Sequence, residues 1–146
     1  MNRLLLLLCI AAAGLSACES GWDVEGEVIT SGVADRDRPI GVYLLIEDDV
    51  DPLALPTDAS RYELIEEEAT VPPDSMPFSY GDIGCADADV WVLAFAPAGG
   101  PLPPGYPEDG VLAVQAGDYF AFSGPLNPYC GWESNPSVVE LTLEEK

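Results

Sequence analysis

The chain has 146 residues, 26 acidic and five basic side chains, a net charge of −21 and no histidine. That balance excludes nucleic acid as a partner, because phosphate binding depends on Lys and Arg displacing counterions. It also disfavours direct contact with anionic lipid headgroups, and the lack of histidine removes Ser-His-Asp and Cys-His catalysis and His-ligated zinc together.

In chain order, the first segment is a targeting signal. Met1-Asn2-Arg3 is a short basic start, and Leu4 to Ala13 is an uncharged apolar run. Small residues then lead to Cys18. Basic, apolar and small regions in that order are the layout of a secretory signal. The apolar run is shorter than the roughly 20 residues that span a bilayer. Leu15-Ser16-Ala17-Cys18 resembles the lipobox of bacterial lipoproteins. The resemblance implies cleavage before Cys18 and acylation of that cysteine. It implies a signal peptide over 1–17, a lipidated tether over 18–21 and a membrane partner reached through the lipid. In that family an Asp after the cysteine often retains the protein at the inner membrane; Glu19 here favours the outer membrane of the cell envelope.

Residues 22–146 suit one domain. All 26 acids stay with it, against Arg36, Arg38, Arg61 and Lys146. The apolar fraction of 48%, gathered in strand-like runs, predicts a folded domain with a solvated acidic surface. Trp22 to Thr30 alternates, with Trp22, Val24, Val28 and Thr30 on one face and Asp23, Glu25 and Glu27 on the other. A period of two marks a half-buried strand. Ser31 to Pro39 is a turn region. Ile40 to Ile46 is a second strand, apolar on one face and partly so on the other.

Glu47 to Ser60 reads as an acidic loop broken by Pro52 and Pro56. Arg61 to Val71 fits two patterns: a helix capped by Thr57 and running to Glu68, or a strand with Tyr62 and Leu64 alternating. The strand is favoured, with Glu66 to Glu68 as charges guarding an edge. Met76 to Ile83 is a further strand. Val90 to Ala96 is almost wholly apolar and predicts a central strand buried on both sides. Pro97 to Gly110, rich in Pro and Gly, predicts a long exposed loop. Val111 to Val114 and Asp118 to Phe122 read as short strands around Gly117. Gly124 to Pro136 reads as a second irregular loop, Ser137 to Leu143 as a closing strand and Glu144-Glu145-Lys146 as a charged tail. Seven or eight short strands with frequent turns predict an all-β fold in a single domain, a sandwich or a barrel.

Val-Glu-Gly-Glu-Val-Ile-Thr, followed by Arg-Pro-Ile-Gly-Val-Tyr-Leu-Leu, resembles the start of prealbumin-like or carboxypeptidase-regulatory-like domains. The later order Pro-Phe-Ser-Tyr, turn, Val-Trp-Val-Leu-Ala-Phe is similar too. The resemblance spans most of residues 22–97. It implies a Greek-key β-sandwich and brings no catalytic residues. Where that family often has Gly-x-Tyr before an apolar strand, this chain has Ala88-Asp89-Val90-Trp91.

After removal of Cys9 with the signal and acylation of Cys18, Cys85 and Cys130 remain as an even pair in an oxidising compartment, which predicts a disulfide. Carboxylate is the only plentiful catalytic group, and no pair is singled out for glycoside hydrolysis. The chain therefore reads as a non-enzyme without a cofactor. Asp48, Asp49 and Asp51, and Asp82, Asp87 and Asp89, are candidate calcium ligands. Loop oxygens suit that ion, although neither cluster has EF-hand spacing. Tyr106, Tyr129 and Trp132 are candidate binding aromatics for a sugar or an envelope protein, since Tyr and Trp combine large contact area with a polar tip. The function expected is a binding or assembly module of the cell envelope. The alternative is a structural accessory subunit with no ligand of its own.

Overall fold

A computed structural model describes residues 22–46, 62–83, 90–104, 114–126 and 137–146. The described residues are all-β, with eight strands in two sheets. They are β1 (Trp22–Ile29), β2 (Ile40–Ile46), β3 (Tyr62–Glu68), β4 (Ser75–Ile83), β5 (Val90–Ala96), β6 (Tyr119–Leu126), β7 (Ser137–Thr142) and β8 (Glu144–Glu145). One sheet has the order β4-β1-β7, and the other β3-β2-β5-β6-β8. The β1–β7 ladder is parallel and the rest are antiparallel.

The alternation in β1 dictates its place. Val24 and Val28 are fully buried, and Asp23, Glu25 and Glu27 are exposed. A strand with one apolar face can cover only one side, so the three-stranded sheet lays one face on the core and turns the other to water. Gly26 shares the inward face, opposite Phe78 on β4 and Val139 on β7. A Cβ there would meet the Val139 carbonyl oxygen and come within 2.7 Å of Phe78 Cζ. The missing side chain is what lets the Phe78 ring close over the backbone.

The inter-sheet core takes Val24 and Val28 from β1, Ile40, Val42 and Leu44 from β2, Met76 and Phe78 from β4, and Val90, Val92 and Ala94 from β5. Val139 and Leu141 on β7 and Tyr119 and Ala121 on β6 join it. Strand β5 lies between β2 and β6 in the wider sheet and is buried on both faces, as its unbroken apolar run requires. Its other face joins a second cluster. Tyr43, Leu45, Leu93 and Phe95 are buried there, with Leu64, Trp91, Leu102, Val114, Phe120 and Phe122 packed against them. Trp91 and Phe122 stack with ring centroids 5.0 Å apart.

The structure corrects four expectations. Part of the predicted exposed loop from Pro97 covers that second cluster: Pro97 is buried, Leu102 and Pro103 are half-buried, and Tyr43 Oη donates to the Pro103 carbonyl at 2.8 Å. Pro/Gly-rich composition forbids a ladder, but it does not forbid lying on a sheet. The loop predicted from Gly124 begins later, because β6 continues to Leu126, opposite Val90. A register shift between Val90 and Val92 and a Gly124 φ of 138° accommodate Gly124-Pro125 within the strand. Glu144 and Glu145 are not only a tail, since they pair with Phe120 and Tyr119. Val114 is in no strand; the remainder of that predicted strand lies outside the described residues. For Arg61 to Val71 the structure selects the strand, Tyr62–Glu68.

Candidate functional site

The strand directions sort the chain into two ends. Trp22 pairs with Ile83, and Val24 with Ser137. In the other sheet Leu45 pairs with Tyr62, Ile46 with Val90, and Val90 with Leu126. All these positions lie at one end. Ile29, Ile40, Glu68, Ser75, Ala96, Tyr119 and Thr142 lie at the other.

Most predicted site residues fall outside the described residues: Cys18, Cys85, Cys130, Tyr106, Tyr129, Trp132, Asp48, Asp49, Asp51, Asp87 and Asp89. Asp82 is in β4, and only its backbone is described. What is described is where their flanks stand. The flanks of Cys85 are Ile83 and Val90, and those of Cys130, Tyr129 and Trp132 are Leu126 and Ser137. All four are at the Trp22 end. Tyr106 is flanked differently. Pro103, before it, lies at Tyr43, and the Val114 carbonyl, after it, accepts from Lys146 Nζ at 2.7 Å.

A polar cluster occupies the Tyr119 end. Arg38 pairs with Asp35 at 3.1 Å, donates to the Gly117 carbonyl at 2.9 Å and lies 5.2 Å from the centre of the Tyr119 ring. Asp118 is buried. Its two carboxylate oxygens accept the Ala98 and Gln115 amides at 2.7 and 2.6 Å. Arg36 donates to the Pro72 carbonyl at 2.9 Å. A cleft of about 320 Å³ opens beside Asp118, lined by Phe95, Pro97, Ala98, Gly99, Pro103 and Gln115. Each Asp118 oxygen holds a backbone amide, so this carboxylate ties loops together. Only the scarcity of cations could have flagged this end from sequence: three of the four in 22–146 are Arg36, Arg38 and Lys146.

The second constellation is the outer face of the three-stranded sheet. Asp23, Glu25 and Glu27 on β1, Pro77 and Ser79 on β4, and Val138, Glu140 and Thr142 on β7 are all exposed there. Val138, 76% exposed, is the one exposed large hydrophobic residue among the described residues. A shallow groove of about 530 Å³ runs past Glu25, Gly26, Pro77, Phe78, Ser79 and Val138 and is lined also by Glu66 of the other sheet. Ser75 Oγ donates to the Glu27 carboxylate, and Tyr80 Oη donates to Glu63 on the other sheet at 2.9 Å. The sequence pattern puts Val138 and Glu140 on a closing strand; among the described residues that strand lies at a sheet edge, which the pattern does not signal.

Among the described residues, no helix is long and apolar enough to cross a membrane, and no group of three or more His, Cys, Asp or Glu is placed to hold a metal. No protein-family model, curated protein or solved structure matches the chain.

Proposed function

We propose that this chain is a lipid-anchored cell-envelope β-sandwich, held at the outer membrane through Cys18, that acts as a binding or assembly module. The observation that carries the reading is the position of Trp22. Strand β1 starts only four residues after Cys18, in the middle of its sheet. Four extended residues reach about 14 Å at most, so an acylated Cys18 would hold the Trp22 end close to the membrane. Stable anchoring needs more than one acyl chain, as the lipobox chemistry would supply. The Tyr119 end and the sheet faces would then point to partners.

The same geometry supports a Cys85–Cys130 disulfide, because the flanks of both cysteines share the Trp22 end. Closing a loop of about 46 residues would restrict the unfolded chain by roughly 4 kcal/mol in the chain-entropy model. It also divides the proposed aromatics. Tyr129 and Trp132 would act near the membrane, while Tyr106 has its flanks beside Tyr43 and Lys146. A sugar, a calcium-bridged contact or an envelope protein remain the ligand classes for those loops. The prealbumin-like resemblance would bring a scaffold and no chemistry.

Mass spectrometry of protein extracted from membranes tests both covalent claims. An acylated N-terminal Cys18 peptide and a Cys85–Cys130 linked peptide are expected, and Cys18→Ser should move the chain to the soluble fraction. A Cys18→Ser variant that stays wholly with membranes would contradict the tether.

A further inference from the structure

We propose that the outer edge of β7 takes up an extended, basic segment of a partner protein as an added strand. The proposal deepens the binding-module reading and rests on it only for the existence of a partner. Among the described residues, β7 has a ladder on one edge, with β1. Its other edge has no strand partner among the described residues, and a bare edge presents backbone amides and carbonyls in the pattern that templates a further strand.

The two sheets differ in width, and this leaves a place for that strand. β6 and β7 touch across the sandwich. Beyond β6 the wider sheet continues into β8. No described residue of the narrower sheet continues it past β7 to match.

The other sheet edges among the described residues carry features that discourage pairing. β3 carries Glu63, Glu66, Glu67 and Glu68, and β4 carries the exposed Pro77; β8 has only two residues, and the stretch of β6 that it leaves uncovered carries Gly124 and Pro125. β7 has six residues, no Pro and no Lys, and displays Val138.

Charge selects the partner. The described charged side chains on the outer face of this sheet are all acidic: Asp23, Glu25, Glu27 and Glu140. Register places Glu27 directly beside Glu140, and Glu25 beside Val138. Like charges side by side on one face are unfavourable. A cation on an incoming strand next to Glu140 would relieve them. Val139 and Leu141 point into the core from the same strand. Side chains on an added strand alternate, so the inward set should be apolar and the outward set Lys or Arg. A second copy of this chain fits poorly, because it would bring a second acidic row against the first.

The test uses the full chain in mild detergent and a short acetylated peptide alternating valine and lysine. Two controls are a peptide of the same composition with the alternation broken and one alternating valine and glutamate. Binding is read by fluorescence anisotropy, and amide exchange over residues 137–142 by mass spectrometry. The alternating basic peptide should bind and slow exchange in β7. Glu140→Lys should weaken it roughly fivefold at low salt with the melting temperature nearly unchanged. Several results would overturn the proposal: β7 amides already fully protected without peptide, equal binding of the broken-pattern peptide, protection that maps elsewhere, or self-association of the chain through β7.

Discussion

The outward faces of the two sheets differ in a way that the strands themselves announce. On the three-stranded sheet, Asp23, Glu25, Glu27, Val138, Glu140 and Thr142 stand in water. On the five-stranded sheet, Tyr43, Leu45, Leu93 and Phe95 are buried beneath a layer that includes Leu102 and Val114. β1 alternates because only one of its sides is covered; β2 and β5 run apolar because both of theirs are. One sheet therefore contributes twice to stability, and the other keeps a face free for contact.

Removing apolar volume from the covered face should show the largest effect. Leu45, 1% exposed, lies on the side away from the inter-sheet core, so an uncovered face would make Leu45→Ala nearly neutral. The double coverage predicts a loss of about 2–5 kcal/mol, as for other buried leucines, read by urea unfolding.

Much of this was legible from the residues. The limits of β2 and β5, the inward and outward sets of β1, and the all-β class follow from periodicity alone, because burial on one side or two writes itself into the pattern. The role of Pro97 to Pro103 does not. Proline and glycine report that a segment makes no ladder, and they carry no signal for the surface it rests on. Gly124-Pro125 misled for the same reason, since a strand can pass through that dipeptide where the register shifts. For β7, Ser-Val-Val-Glu-Leu-Thr states a half-buried strand, but whether it lies at an edge depends on residues more than a hundred positions away in β1. The candidate loops bearing Tyr106, Tyr129, Trp132 and the cysteines lie outside the described residues.

A smaller effect sharpens the same comparison. Tyr43→Phe removes the hydroxyl that donates to Pro103 and leaves the ring in place. The expected loss is about 0.5–1.5 kcal/mol, the net worth of one intramolecular hydrogen bond. Limited proteolysis should also cut sooner near Pro103. No change in either measurement would mean that the segment does not need this contact to lie on the sheet.

The difference between the two faces is tested most directly by placing the same charge on each. Leu93→Lys puts an ammonium into a fully buried, apolar site on the outer side of β5, where desolvation is severe. Val138→Lys puts it on the open, acidic side of β7. Thermal unfolding followed by circular dichroism should find Val138→Lys folded with a melting temperature close to that of the parent and Leu93→Lys unfolded or strongly destabilised. Equal tolerance at both positions, or greater damage at Val138, would contradict the account.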